Sequence, residues 1–369
     1  MMTKSSKHYF SSVSLAAVTG ATLGYLIQWN NRRKEQRDQD DKFSLPNELQ
    51  NTKYTQELQL ATQLALKAGQ NMIPHADNKG TEAGYEAEAL LDISTKSNIC
   101  DFATAIDRDN EEMIMRHIQI RFPSHDIIGE EMTGIGSIPK LTDNLTWIID
   151  PIDGTTNFTN GLPLSCVSIG LCDQKQPVMG CVYAPMTREL FLAVKGHGSY
   201  RNGVCINSSL NYNTHPTKTL QDSVVVFEFG YEKDPRGIDK LMTVFTKLLK
   251  HGIRASRSLG SGVLDLCYVA SGRVDVVYAG VNNEGWKPWD YCAGVVVAQE
   301  AGAVVKSIFG RPGREGQSDE FDSATGEILD DAPDFDIYSK SIIAGITAEV
   351  VTECRNVILS ATHTVGPNK

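Results

Sequence analysis

WIIDPIDGTTNF, residues 147–158, decides how this 369-residue chain is read. Three apolar residues, Trp147, Ile148 and Ile149, bring a β-strand to its end at Asp150. Pro151 then fixes φ, and Asp153-Gly154 supply a turn. Side chains alternate along a strand, so two carboxylates separated by Pro-Ile face opposite ways unless the chain bends. With the bend, Asp150 and Asp153 converge on one point and the carbonyl of Ile152 becomes a third oxygen. Oxygen-only ligands at that density select a hard divalent ion, foremost Mg²⁺. Gly154, Thr155 and Thr156 next expose backbone N–H groups, which form an anion site beside the cation site if a helix starts there. The competing reading is an ordinary loop whose aspartates only cap turns. That suffices for one Asp-Gly, but the five fixed residues of D-P-x-D-G-T arise by chance in a chain this long about once in ten thousand.

Two other segments supply matching parts. IIGEE, residues 127–131, places Glu130 after a second apolar run, with Glu131 beside it. Neighbouring side chains on an extended chain diverge, so one of the two faces the metal. WKPWDYCAG, residues 286–294, places Asp290 at the start of a helix, where a carboxylate also commonly caps.

Composition sets the outer bounds. With 41% hydrophobic and 22% charged residues, wholesale disorder and a polytopic membrane protein are both disfavoured. A formal net charge of -10 argues against a nucleic acid polymer as partner. It leaves an anionic small-molecule substrate open, because a bound metal inverts the local sign. The eight cysteines form no C-x-x-C pair and several, such as Cys267, sit in apolar runs, which fits reduced buried thiols rather than disulfides or zinc.

Residues 1–34 contain no Asp or Glu and carry basic residues around Tyr9–Trp29. Residues 9–29 are long enough to span a bilayer with the C-terminal body on the cytosolic side. A Ser-rich, acid-free terminus also reads as an organelle-targeting peptide, and a plain arm is the third reading. The polar run to residue 45 is a linker.

Beyond it, Leu58, Ala61, Leu64, Ala65 and Ala68 predict a helix over 55–72. TKSNICDFATAID reads as extended and ends at Asp107, which is then positioned near the start of a helix with Met113, Ile114, His117, Ile118 and Arg121 on one stripe. Alternating strands around 167–173, 177–185 and 189–196 pair antiparallel. A helix in 237–250 puts Ile238, Leu241, Met242, Phe245, Leu248 and Leu249 on one face. Strands first, with helices interspersed, favour α+β over strict βαβ alternation. Residues 311–336 are an acid-dense surface insertion whose spacing does not fit an EF-hand loop.

Taken together, GEE, DPIDGTTNF and WD-x-C-A-G resemble the inositol monophosphatase family of Mg²⁺-dependent, lithium-sensitive phosphatases, from about Gln56 to Leu359. The resemblance implies a layered αβαβα sandwich over residues 46–362, two subdomains with a break near 210–220, a tail at 363–369 and a homodimer. It implies Glu130, Asp150 and the Ile152 carbonyl at one metal, and Asp150, Asp153 and Asp290 at a second. Asp107 matches the aspartate paired with the motif threonine, here Thr155. Gly154 and Thr155 match the phosphate-binding backbone, Lys96 a lysine near the site, and Gly260, Ser261 and Gly262 a loop lining the substrate pocket.

Two departures touch the alcohol half of the substrate. Tyr231 stands where human-type members carry a small serine, and residues 279–289 are longer than the usual spacing, which leaves Glu284 as the choice for the inositol-binding glutamate. The expected reaction is hydrolysis of inositol 1-phosphate by water, with the Asp107–Thr155 pair taking the proton. Histidinol phosphate, a sugar 1-phosphate or a nucleotide 3′-phosphate are the alternative substrates. A membrane-tethered binding protein without catalysis is the rival of another class, disfavoured because every acidic ligand position is filled.

Overall fold

Small side chains at helical spacing make the first long element, α1 (Thr55–Asn78), which buries Leu58, Ala61, Leu64, Ala65 and Ala68. The structure, a computed structural model, describes residues 44–80, 94–95, 102–134, 136–209, 219–230, 233–282, 286–309 and 334–363. Helix α1 runs beyond the expected end at Met72, because Pro74 near its C-terminus removes only one ladder donor. Short strands β1 (Ser94–Thr95) and β2 (Phe102–Ala103) pair antiparallel.

Helix α2 (Ala105–Arg121) corrects two expectations. Asp107 stands near the helix start as expected, but it does not end an extended segment; it lies inside the first turn, where it closes a capping box with Thr104. The buried face carries Asp107, Asn110, Glu111, Ile114 and Ile118, while His117 and Arg121 are exposed. Polar residues can occupy the inward side because each finds a partner there, as Asn110 does with Asn71 and the Ala68 carbonyl.

The first sheet holds β3 (Asp126–Gly129), β4 (Thr146–Asp153), β5 (Cys166–Asp173), β6 (Gln176–Ala184), β7 (Glu189–Val194), β8 (Ser199–Arg201) and β9 (Val204–Ile206) in that spatial order. Only β3–β4 is parallel; the rest pair antiparallel, as alternation predicted for β5–β7. Short helices α3 (Glu130–Thr133) and α4 (Thr155–Thr159) follow β3 and β4.

The second sheet is built from β10 (Val224–Phe227), β11 (Ala255–Arg257), β12 (Val276–Ala279), β13 (Val304–Lys306) and β14 (Ile342–Gly345), ordered β11-β10-β12-β14-β13. Helix α5 (Pro235–His251) joins β10 to β11, α6 (Gly262–Ala270) joins β11 to β12, α7 (Pro288–Glu300) precedes β13, and α8 (Ala348–His363) follows β14. On α5 the buried residues are Leu241, Val244 and Leu248, whereas Ile238, Met242 and Leu249 stay exposed. The predicted apolar face was therefore aimed to one side: the buried stripe turns toward Val244, which that face left out, and only Leu241, Leu248 and half-buried Phe245 of the predicted set meet the core.

Contacts stack these elements in five layers. Helices α1 and α2 cover one face of the first sheet, and α6 and α7 fill the space between the sheets. Helices α5 and α8 cover the far side of the second sheet. This is the α+β, αβαβα arrangement. Every residue of α6 is buried, as befits a middle layer. Close approach of α7 to the first sheet requires glycine: a Cβ on Gly170 would overlap Cys292, and one on Gly180 would overlap the backbone of Ala293. Among the described residues no helix is long and apolar enough to cross a membrane; residues 9–29 lie outside them.

Candidate active site

Asp150 and Asp153 converge by a different device from the turn read in the sequence. Strand β4 continues through Pro151 to Asp153, and its register on β5 shifts: Asp150 pairs with Ser168 and Asp153 with Cys166. Three steps on β4 oppose two on β5, so one extra residue makes a β-bulge. The bulge undoes the alternation that would put the two carboxylates on opposite faces. Gly154 then turns in the left-handed region (φ 79°), where a Cβ would lie 2.8 Å from the Leu164 carbonyl oxygen.

Asp290 reaches the same point from the first turn of α7. Carboxylate oxygens of Asp150, Asp153 and Asp290 all lie within 4.8 Å of one another. One oxygen of each is pinned by a main-chain N–H: Asp150 by Ile152 (3.0 Å), Asp153 by Val263 (3.0 Å) and Asp290 by Lys287 (2.6 Å). The Ser261 hydroxyl also donates to Asp153. Glu130 opens α3 and lines the same cleft.

Such crowding of buried like charges disfavours ionisation. Burial raises Asp153 to about 6, against hydrogen bonds from Ser261 and Val263 and with the Glu130 charge adding to the rise. Asp290 is pushed well up by burial, then by the charges of Asp153 and Glu130. An acid-rich cluster of hard oxygens that resists ionising on its own is what a divalent cation relieves, so this donor set fits Mg²⁺.

Beside the cluster sits Asp107. Its Oδ2 accepts from the Thr104 N–H (2.9 Å) and hydroxyl; its Oδ1 lies 3.5 Å from the Thr155 hydroxyl, which is also 3.0 Å from the Ile152 carbonyl. Burial raises Asp107 to about 7, with the Glu131 and Glu130 charges contributing.

The remaining wall of the cleft, about 470 Å³ in volume, includes Gly260, Ser261 and Gly262. It also carries residues that sequence reasoning missed. The Glu228 carboxylate holds the 258–260 loop through Ser258 (3.1 Å), Leu259 N–H (2.7 Å) and Gly260 N–H (2.9 Å). Asn157 donates to the Leu164 and Leu259 carbonyls at 2.8 and 2.6 Å, tying α4 to that loop. Its place in TTNF was the available signal. Phe229, Lys233, Trp286 and Lys287 also line the cleft. Glu111 lies behind the site, accepting from the N–H groups of Glu131 and Met132. Lys96, Tyr231 and Glu284 fall outside the described residues. Among the described cysteines none is bridged, and all but Cys205 are buried.

A model of the inositol monophosphatase family matches residues 53–352. The chain belongs to that family. With it the chain is a phosphoric monoester hydrolase. Inositol monophosphatase 3 of Solanum lycopersicum is 37% identical over 69% of this chain and 87% of its own length. An inositol monophosphatase of Dictyostelium discoideum is 34% identical over 70% of this chain and 86% of its own. Among solved structures, a Thermotoga maritima IMPase superposes with a TM-score of 0.64 at 27% identity, covering 84% of this chain and all of that one.

Proposed function

We propose that this hydrolase converts inositol 1-phosphate to inositol and phosphate in a Mg²⁺-dependent reaction. The observation that carries the reading is the convergence of Asp150, Asp153 and Asp290 from a bulged strand and a helix within 4.8 Å, next to the Asp107–Thr155 pair. Glu130, Asp150, the Ile152 carbonyl, Asp153 and Asp290 would hold the metal. When bound, Mg²⁺ supplies charge against the phosphoryl oxygens and acidifies water. The chain does the rest. Thr155 orients the attacking water, and Asp107, whose carboxyl sits at about 7 before metal binds, takes its proton. Backbone at Gly154 and Thr155 receives the phosphate, and the 260–262 loop bounds the leaving alcohol. Residues 1–45 serve as a membrane or targeting arm, and the catalytic body works as a homodimer.

A second substrate reading has its own support. Among the described residues, the cleft lining offers Phe229, exposed at 36%, with Trp286, Lys233 and Lys287. Aromatic faces and ammonium groups suit a leaving alcohol with a flat ring and a second negative charge, as in a nucleotide 3′-phosphate. Phosphate release by the full chain from inositol 1-phosphate, galactose 1-phosphate, histidinol phosphate and adenosine 3′,5′-bisphosphate decides between them. The highest kcat/KM on inositol 1-phosphate supports the first reading; a preference for the bisphosphate replaces it with the second. Wild-type-like turnover by Asp150→Asn would remove the metal-dependent account altogether.

A further inference from the structure

Helix α3, which carries Glu130, is four residues long and has no side-chain cap of its own at Gly129. A single turn of helix is not self-sustaining, because nucleation costs more than one hydrogen bond returns. Its free N–H groups are met instead by a carboxylate from α2. Glu111, 3% exposed, accepts the Glu131 N–H on Oε2 at 2.8 Å and the Met132 N–H on Oε1 at 2.6 Å. Space for that carboxylate is reserved opposite: a Cβ on Gly129 would stand 2.5 Å from Glu111 Oε2. Gly129 has φ −117°, a value any residue adopts, so room for Glu111 and not backbone freedom is what glycine provides here.

We propose that Glu111 is a positioning residue for Mg²⁺: by clamping the turn at Glu131 and Met132 it fixes the direction in which Glu130 presents its carboxylate. The inference rests on Glu130 being a ligand. Asp107 and Glu111 stand one helical turn apart on the same buried face of α2. One rigid element thus sets both the proton acceptor and the turn that carries the ligand, which keeps their separation constant. Both oxygens are needed. Glutamine offers one acceptor and turns an NH₂ toward the second N–H.

Two variants perturb the clamp from opposite sides. Glu111→Gln removes an acceptor; Gly129→Ala keeps Glu111 and its charge but displaces the carboxylate. Calorimetric Mg²⁺ titration of the full chain, with thermal unfolding in the absence of metal as control, reads the effect. Each variant is expected to raise the Mg²⁺ dissociation constant by about 10–100-fold, the usual cost of losing a group that orients a ligand. Unfolding stays cooperative, and much of kcat returns at saturating Mg²⁺. If Glu111→Gln does not fold, Gly129→Ala decides alone. Mg²⁺ affinity at the wild-type level in a folded variant overturns the proposal. A wild-type chain and Glu130→Gln with equal affinity would defeat the ligand reading on which it rests.

Discussion

Asp153 shows, at the scale of one residue, how a proposed metal ligand is held. Its Oδ2 is held by the Val263 N–H and the Ser261 hydroxyl, both from the start of α6. Hydrogen bonds to a charged acceptor contribute about 1.5–3 kcal/mol each. Ser261→Ala should therefore weaken Mg²⁺ binding about tenfold, because the carboxylate is then directed by one donor instead of two; unchanged affinity by calorimetry would refute the assignment. The aspartates themselves were legible in the sequence, since D-P-x-D-G-T is local and chemically specific. Their anchors were not. Ser261 is 108 residues from Asp153, and Glu111 lies 20 residues from its partner Glu131, on a helix face that apolar spacing alone had assigned otherwise.

Elements decide whether those residues meet. The motif WD-x-C-A-G mixes two tasks: Asp290 belongs to the cleft, while Cys292 and Ala293 are small enough to let α7 settle on Gly170 and Gly180. Gly180→Ala forces a methyl group into the Ala293 backbone. Overpacking of this kind costs about 1–3 kcal/mol, and here it also tilts the helix that carries Asp290. Expected are a lower Tm and a rise in the Mg²⁺ concentration needed for half-maximal activity, larger than the same loss of stability produces elsewhere. A lowered Tm with unaltered metal response would separate packing from function. Antiparallel pairing of β5, β6 and β7 could be read from alternation and turns. The bulge at Asp150–Asp153 could not, because it exists only in the register with β5.

For the molecule as a whole, the acid cluster makes metal-free stability depend on pH with an unusual sign. Burial raises Asp107 and Glu111 to about 7 and Asp153 to about 6, from ordinary values of 3.8, 4.5 and 3.8. Between those limits the folded chain holds protons that the unfolded chain has released. Stability therefore falls as pH rises through this window. Metal-free Tm should drop from pH 4.5 to 7.5, and Mg²⁺ should raise Tm more at pH 7.5, where protons no longer compete for the ligands. A Tm that rises over the same interval would contradict this. Asp265 adds to the burden: it is fully buried, neither carboxylate oxygen has a hydrogen-bond partner among the described residues, and burial pushes it well up. Asp265→Asn, neutral at every pH, should flatten the decline in Tm measured by calorimetry.

Synthesis order gives the anchoring of Asp153 by Val263 a temporal meaning. A ribosome delivers Glu130, Asp150 and Asp153 early, but Val263 emerges 110 residues after Asp153, and Asp290 later still. Until then the proposed cation site lacks Asp290 and the two donors that hold Asp153. Under the proposed ligand set, a complete cation site exists only once the middle helices α6 and α7 have been made.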